Sequence, residues 1–160
     1  MSKKLVTYFS ASGVTGKVAK NLAAAADADL FEIAPETPYT SADLNWRDEN
    51  ARSTVEMKDK SSRPKPAENS VNIADYDVVF VGFPIWWYVA PTIINTFLEG
   101  HDFSGKTIIL FATSGGSGFG KTVEGLKGSV SDTATIKEGK ILNGNPSVSD
   151  LKAWVDSLHL

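Results

Sequence analysis

Small hydroxyl side chains near the N-terminus are the first residues in the chain that could bind a ligand. Ser10, Ser12 and Thr15 follow a short apolar run and surround Gly13, and helical spacing of apolar residues begins just beyond them. A strand that leads directly into a helix leaves backbone N–H groups of the first turn without partners, and the helix dipole makes that end positive. Such an end suits a phosphate. An ordinary helix N-cap uses the same residue types, so this pattern alone leaves both interpretations open.

Two later loops have an equally distinct composition. Residues 84–88 read Pro-Ile-Trp-Trp-Tyr, and residues 113–119 begin Thr-Ser-Gly-Gly-Ser. Trp86, Trp87 and Tyr88 lie in a loop, where ordinary core packing does not fully account for large rings. They could form a hydrophobic lid or a subunit contact. They could also cover a flat ligand: a phosphate joined to a planar apolar ring would satisfy all three loops, and flavin mononucleotide (FMN) has that shape.

Alternating strands and helices must position these loops. The runs at 77–83 and 106–113 are continuous, β-branched and aromatic, which is typical of strands buried on both faces of a parallel sheet. Weaker strand patterns occur at 28–34 and within 133–142, so about five strands are predicted, with helices covering both faces. Helical patterns follow the strands near residues 14–26, 93–98, 122–127 and 146–158. Ligands of such sheets bind beyond the carboxyl ends of the strands, where the three loops are expected to meet.

One long polar connection interrupts this alternation. Residues 36–75 contain Trp46 near the middle and the sequence Arg-Pro-Lys-Pro toward the end. We predict a helix at 42–58 and an extended proline-containing part after it. The length predicts a single domain, residues 1–160, with an insertion at about 36–75. Connections of this length are usually functional or mobile.

Composition narrows the possible functions. The chain has a net charge of -3, a pI near 5.4, no cysteine and two histidines. Nucleic acid is therefore not an expected ligand, and no metal site or cysteine nucleophile is expected. The chemistry would come from a cofactor, and we assign no catalytic side chain. The N-terminal apolar run is too short for a signal peptide and no stretch is long enough to cross a membrane, which predicts a cytoplasmic protein.

The third loop also matches another motif. Residues 115–122, Gly-Gly-Ser-Gly-Phe-Gly-Lys-Thr, fit the nucleotide-binding pattern G-x-x-x-x-G-K-[ST] after a strand and before a helix. A P-loop enzyme also needs an acidic residue at the end of another buried strand to hold magnesium. The strong strands end in Phe-Pro and Thr-Ser instead, so the glycine-rich turn is better explained as the support of a flavin edge.

The three loops together resemble those of the flavodoxins. The segment Ser-Ala-Ser-Gly-Val-Thr at 10–15 is similar to the flavodoxin phosphate loop [T/S]-x-[T/S]-G-x-T. The chain is most similar to the flavodoxin-like group with a Pro-Ile-Trp-Trp loop, a Thr-Ser-Gly-Gly loop and an insertion containing Asp-Leu-Asn-Trp, here residues 43–46. This resemblance implies a doubly wound three-layer α/β fold, with a five-stranded parallel sheet in the order 2-1-3-4-5 and bound FMN. It places around the phosphate Ser10, Ser12, Gly13, Val14 and Thr15, against the ring Pro84, Ile85, Trp86, Trp87 and Tyr88, and along its other edge Thr113, Ser114, Gly115, Gly116 and Ser117.

The resemblance leaves more than one function open. We expect an electron-transfer protein that exchanges electrons with a reductase and an acceptor protein. The alternative is an FMN-dependent NAD(P)H oxidoreductase acting on quinones or similar small acceptors, in which Tyr88, Trp46 and Arg52 would form walls of the substrate site. Electron-carrier flavodoxins resemble one another in having a glycine in this ring-contacting loop. The loop at 84–88 contains no glycine, and this absence also suits reductase chemistry. A third possibility is an interaction domain without cofactor. The oligomeric state cannot be inferred from the sequence.

The ring loops also predict a redox property. They contain no lysine or arginine before Lys121. Negative charge gained on reduction of a flavin would be poorly compensated there, so we expect a low reduction potential.

Overall fold

Five parallel strands form the sheet in the order β2-β1-β3-β4-β5, as predicted. The computed structural model describes residues 3–10, 13–37, 39–40, 42–45, 47–59, 61–67, 71–86, 90–114, 118–143 and 146–158. Within them the elements are β1 (Lys4–Tyr8), α1 (Val14–Ala26), β2 (Asp29–Glu32), α2 (Arg52–Lys58), β3 (Val78–Pro84), α3 (Thr92–Glu99), β4 (Thr107–Thr113), α4 (Thr122–Lys127), β5 (Thr135–Ile141) and α5 (Val148–Ser157), with a short 3₁₀ helix at Ile73–Asp75. None of these helices is long and apolar enough to cross a membrane.

Alternation along the strands divides the core into two layers. In β1, Leu5 faces one layer while Val6 and Tyr8 face the other, because successive strand side chains point to opposite faces. The layer beneath α1 and α5 includes Leu22 and Leu151, and the opposite layer contains the apolar face of α3. The sheet is therefore covered on both faces, and its carboxyl edge is where the loops emerge.

The central strands are the most deeply buried. Every residue of β3 except Pro84 is buried, and β4 is buried from Ile108 onward. β5 at the sheet edge is largely exposed and contains a bulge opposite Leu110 and Phe111. Gly139 occupies this irregularity, and a Cβ built there would lie 1.9 Å from the carbonyl oxygen of Leu110. A side chain at this position would therefore displace the strand.

The insertion forms less helix than predicted. The helix begins at Arg52 rather than near residue 42, and residues 42–44 form a turn. Asn45 Oδ1 accepts from the N–H of Arg47, and Asp48 Oδ1 accepts from the N–H of Asn50. These local bonds offer the backbone an alternative to the helical pattern, which explains the error. Trp46 lies outside the described residues.

The segment that follows β2 pairs with the proline-containing part of the insertion. Pro35 and Pro66 form an antiparallel bridge. The N–H of Glu36 donates to the carbonyl of Lys65 at 2.8 Å. The proline-containing segment is therefore extended, as predicted. The residues between these two pairing points form a loop whose ends are held together.

Candidate functional site

The β1–α1 loop places a helix N-terminus at the carboxyl edge of the sheet. Gly13 precedes the helix with φ 91°, a left-handed conformation that favours glycine, and nothing lies within 4 Å of a Cβ built there. Ser10 Oγ accepts from the N–H groups of Gly13 at 3.0 Å and Gly16 at 3.1 Å. In the described part of the chain, no backbone or side-chain acceptor faces the N–H groups of Val14 and Thr15. Among the described residues, the loop thus presents two N–H donors with no acceptor, next to the open space at Gly13.

Ser10 acts as a cap across the loop. Its oxygen accepts from two backbone N–H groups, which uses both lone pairs, so the hydroxyl can bind a further group only by donating its proton. Val14 is 55% exposed and lies at the surface of the first turn. Ser12, which was predicted to bind the phosphate together with Ser10, lies outside the described residues.

Thr15 and Thr113 join the first loop to the end of β4. Their hydroxyl oxygens lie 2.8 Å apart, although the residues are 98 positions apart in the chain. Both side chains are buried. The carbonyl of Thr113 also accepts from the N–H of Ile85 at 2.9 Å, just after β3. All three predicted loops therefore meet at one residue.

The described part of the loop after β3 faces inward. Pro84 is the last residue of β3, opposite Thr113 in the parallel register. Ile85 is buried in the core. Trp86 is half-buried, and its ring makes edge contacts with Phe9, at 5.9 Å between centroids, and with a tyrosine of the insertion. The contact of these residues with a planar ring stays a prediction, as it does for Trp87 and Tyr88, which lie outside the described residues.

The insertion contributes the third ring of this cluster, Tyr39. Its centroid lies 5.5 Å from that of Phe9 and 5.6 Å from that of Trp86. The Arg52 guanidinium stacks on the Tyr39 ring at 3.9 Å, and the Tyr39 hydroxyl donates to Glu56. Burial and this hydrogen bond raise the pKa of Tyr39 well above its usual range. The insertion therefore contacts the site through an aromatic cluster made of Phe9, Tyr39 and Trp86.

Sequence reasoning missed Tyr39. A partial signal existed, because Arg52 and Glu56 are spaced i, i+4 on the predicted helix and do form an ion pair at 3.0 Å. Nothing in the sequence indicates that this pair holds a tyrosine against the carboxyl ends of β1 and β3.

The loop after β4 is held by the loop after β5. The N–H of Ser114 donates to Asn143 Oδ1 at 2.9 Å, and Asn143 Nδ2 donates to the carbonyl of Ser114 at 2.8 Å. The sequence analysis did not predict this two-bond clamp. The only signal for it was the position of Asn143 just after a predicted strand. Gly115, Gly116 and Ser117 lie outside the described residues.

The P-loop-like segment does not present its threonine to a metal. Thr122 is buried, and its hydroxyl donates to the carbonyl of Phe119. Gly120 has φ 52° and makes the turn before α4. In this arrangement the hydroxyl caps the turn instead of pointing at a phosphate-bound ion, which fits the interpretation of this segment as a structural loop.

Charges are absent from the described parts of the three loops. The ion pairs of the described residues all lie elsewhere, on the insertion, α3 and α5. The first turn of α1 has no acidic residue. An anion that contacts the described loop residues would therefore meet neutral dipoles, and the cationic residue nearest in sequence to the first loop is the exposed Lys17 of α1.

A cavity of about 340 Å³ lies beside the site, between α2, α3 and α4. It is lined by Ala90 and Lys121, which follow the second and third loops, and by Met57 of the insertion. Its walls include Met57, Ala90, Thr92, Lys121, Glu124 and Leu126. The cavity therefore borders the segments that follow the second and third loops.

Comparison with known proteins identifies the family. A flavoprotein family model described as Flavodoxin matches residues 3–158. The chain is similar to a solved structure from Bacteroides eggerthii assigned as a flavoprotein, with 49% identity, a TM-score of 0.91 and coverage of 100% of this chain and 99% of that one. A similar protein from Bacteroides uniformis shows 45% identity, a TM-score of 0.90 and coverage of 97% and 98%. No curated protein matches the chain.

A more distant structure supports the fold. The flavoprotein from Lactobacillus acidophilus, solved in complex with FMN, is 20% identical with a TM-score of 0.69, covering 97% of this chain and 99% of that one. Its structural similarity and the family match both agree with the fold described above. The chain belongs to the flavodoxin family.

Proposed function

We propose that this protein binds FMN and transfers electrons between a reductase and an acceptor protein. The observation that carries the proposal is the meeting of three loops at Thr113, which contacts Thr15 through its hydroxyl and Ile85 through its carbonyl. A mononucleotide with phosphate at one end and a flat ring at the other needs that convergence. Family membership and the relative crystallised with FMN support the choice of cofactor.

The residues at the phosphate end fit a dianion. The open space at Gly13 admits an oxygen atom close to the backbone, and the N–H groups of Val14 and Thr15 have no competing acceptor in the described chain. Ser10 retains a proton to donate because its lone pairs are already used. Hydrogen bonds to a charged acceptor are stronger than neutral ones, so a few such donors suffice without a lysine or arginine.

The residues at the ring end would orient the flavin and exclude water. FMN supplies the redox chemistry when bound, by accepting and donating electrons. The aromatic cluster supports the start of the 84–88 loop, and the Ser114–Asn143 clamp supports the loop on the other side. If the two loops that contact the flavin ring are held by these interactions, they would keep the flavin in one orientation toward a partner.

The reductase alternative is favoured by one observation. The 340 Å³ cavity borders the segments that follow the ring loops, and its lining combines the apolar Met57, Ala90 and Leu126 with polar side chains. The polar residues include two of opposite charge, Lys121 and Glu124. Apolar walls with polar groups among them are the usual form of a small-molecule site. It would suit a quinone-like acceptor in an FMN-dependent NAD(P)H oxidoreductase. A cytoplasmic location, where NAD(P)H and its reductases occur, is part of either proposal.

Flavin titration of the purified apoprotein tests the proposal. We expect FMN to bind and to acquire the absorbance of a protein-bound flavin. Replacing Ser12 and Thr15 together by alanine should weaken FMN binding by about 1 to 3 kcal/mol, the usual effect of losing hydrogen bonds to a charged group. No binding of FMN by the unmodified protein would refute the proposal. Steady oxidation of NADPH with a quinone and no added reductase would select the enzyme over the carrier.

A further inference from the structure

The hydroxyl pair formed by Thr15 and Thr113 is buried beneath the three loops. Thr15 is 2% exposed and Thr113 is 5% exposed, and their oxygens are 2.8 Å apart. Either oxygen could be the donor. Two hydroxyls hold two protons, and a single hydrogen bond between them uses one. One proton of the pair is therefore left for another acceptor.

A bound phosphate would decide which proton is left. Phosphate oxygens act as acceptors, so Thr15 can bind one only by donating its own proton. The hydrogen bond between the two threonines must then run from Thr113 to Thr15. In the reverse direction the Thr15 proton would point at Thr113, and only a lone pair would face the anion.

The backbone holds Thr113 rigidly in place for this task. It lies opposite Pro84 in the β3–β4 register, and its carbonyl accepts from the N–H of Ile85. These backbone contacts place the Thr113 hydroxyl beside that of Thr15 in this structure.

We propose that Thr113 is a positioning residue for the phosphate of FMN, donating its hydroxyl proton to Thr15 so that Thr15 donates to the phosphate. The flavodoxin resemblance implied instead that Thr113 lies along the edge of the ring. This inference rests on the proposed FMN binding and assigns Thr113 to the opposite end of the cofactor. It also links the phosphate loop to the ring loop, because the same residue bonds Ile85.

The test compares FMN with riboflavin, which carries the same ring but no phosphate. Thr113→Val keeps the shape of the side chain and removes its hydroxyl. We expect its dissociation constant for FMN to rise about 10-fold, as for a weakened hydrogen bond to a charged group, and its constant for riboflavin to change less than about 2-fold. Thr113→Ser retains the hydroxyl and should restore FMN affinity. If the valine variant does not fold, Thr113→Ala tests the same loss of hydroxyl.

A double-mutant cycle shows whether Thr113 acts through Thr15. In a Thr15→Val background, Thr113→Val should cause no further loss of FMN affinity, because the group being positioned is gone. Thr7→Val is the matched control: the Thr7 hydroxyl is equally buried in the same sheet and donates to the carbonyl of Phe80 at 2.8 Å. It should lower stability while leaving the ratio of FMN to riboflavin affinity unchanged.

The other outcomes overturn the inference. Equal weakening of FMN and riboflavin by Thr113→Val would place the residue at the ring or make it purely structural. Unchanged FMN affinity, or additive effects in the Thr15→Val background, would remove the positioning role while leaving FMN binding intact. Failure of the unmodified protein to bind FMN would refute both the proposed function and this inference.

Discussion

The link between the insertion and the ring loop can be tested at Tyr39. Tyr39→Phe removes the hydroxyl that donates to Glu56 but keeps the ring between Phe9, Trp86 and Arg52. Tyr39→Ala removes the ring as well. The difference between the two variants therefore isolates the packing of the aromatic cluster from the hydrogen bond.

The expected costs follow from these contacts. Losing the hydrogen bond in Tyr39→Phe should lower the free energy of unfolding by about 1 kcal/mol, because Glu56 keeps its ion pair with Arg52. Tyr39→Ala also loses two edge-to-face ring contacts, worth about 0.5 to 1.5 kcal/mol each, and a cation–π contact worth about 0.5 to 1 kcal/mol. We expect a total near 3 kcal/mol, discounted because Tyr39 is half-buried.

Urea unfolding of the apoprotein measures these values, and flavin titration measures their consequence. If Tyr39 supports the loop that begins at Trp86, Tyr39→Ala should weaken FMN and riboflavin equally, by about 3- to 10-fold for roughly 1 kcal/mol of lost preorganisation. Tyr39→Phe should stay within about 2-fold. Phe31→Ala is the matched control, since it removes a ring stacked on Phe97 at 6.1 Å, away from the three loops.

Two results would refute this reasoning. If Tyr39→Ala is no less stable than Tyr39→Phe, the three rings contribute nothing beyond the hydrogen bond. If Phe31→Ala weakens flavin binding as much as Tyr39→Ala, the effect reflects general destabilisation and not support of the ring loop.

Three further predictions concern the sheet, the clamp and alkaline pH. Gly82→Ala should lower the free energy of unfolding by about 3 kcal/mol or more, measured in urea, because a Cβ there would lie 2.1 Å from the buried ring of Phe111. Asn143→Ala should weaken FMN and riboflavin alike, by about 3- to 10-fold in a flavin titration, because it releases the loop at the ring end. The hydrogen bond to Asp29 and, to a smaller extent, burial raise the pKa of Tyr76 to about 12. The free energy of unfolding should therefore fall as the pH rises from about 10 to about 12.

Each of these has a control. Gly125→Ala introduces the same methyl group in helix α4, where nothing lies within 4 Å, and should not destabilise; a similar loss at both glycines would contradict the steric explanation. For the clamp, selective loss of FMN over riboflavin would place Asn143 at the phosphate end instead. The folded protein binds the Tyr76 proton more tightly than the unfolded chain does, so this contribution to stability is complete below pH 10 and is lost as the pH rises from about 10 to about 12. Tyr76→Phe should remove that part of the alkaline loss, and an unchanged pH profile would contradict it.

Local patterns predicted a parallel sheet of about five strands covered on both faces, while the strand order came from the flavodoxin resemblance. The run at 77–83 predicts a buried central strand because β-branched and aromatic residues without alternation suit a sheet covered on both faces, and β3 has that burial. Gly13 and Ser10 marked a helix start because their roles depend on their own backbone and on near neighbours. The predicted helix at 42–58 was partly wrong for the complementary reason: Asn45 and Asp48 bond to the backbone locally and prevent the first turns.

The sequence by itself determined the order of elements, the loop compositions and the carboxyl edge where ligands are expected. Only the tertiary structure decided which side chains meet there: Thr15 with Thr113, Ser114 with Asn143, and Tyr39 with the rings beside it. Such contacts join residues far apart in the chain, and they depend on strand register, burial and the path of the insertion. The position of a hydroxyl or amide residue in the sequence does not identify its hydrogen-bond partner, because the packing of the whole sheet determines which two side chains meet.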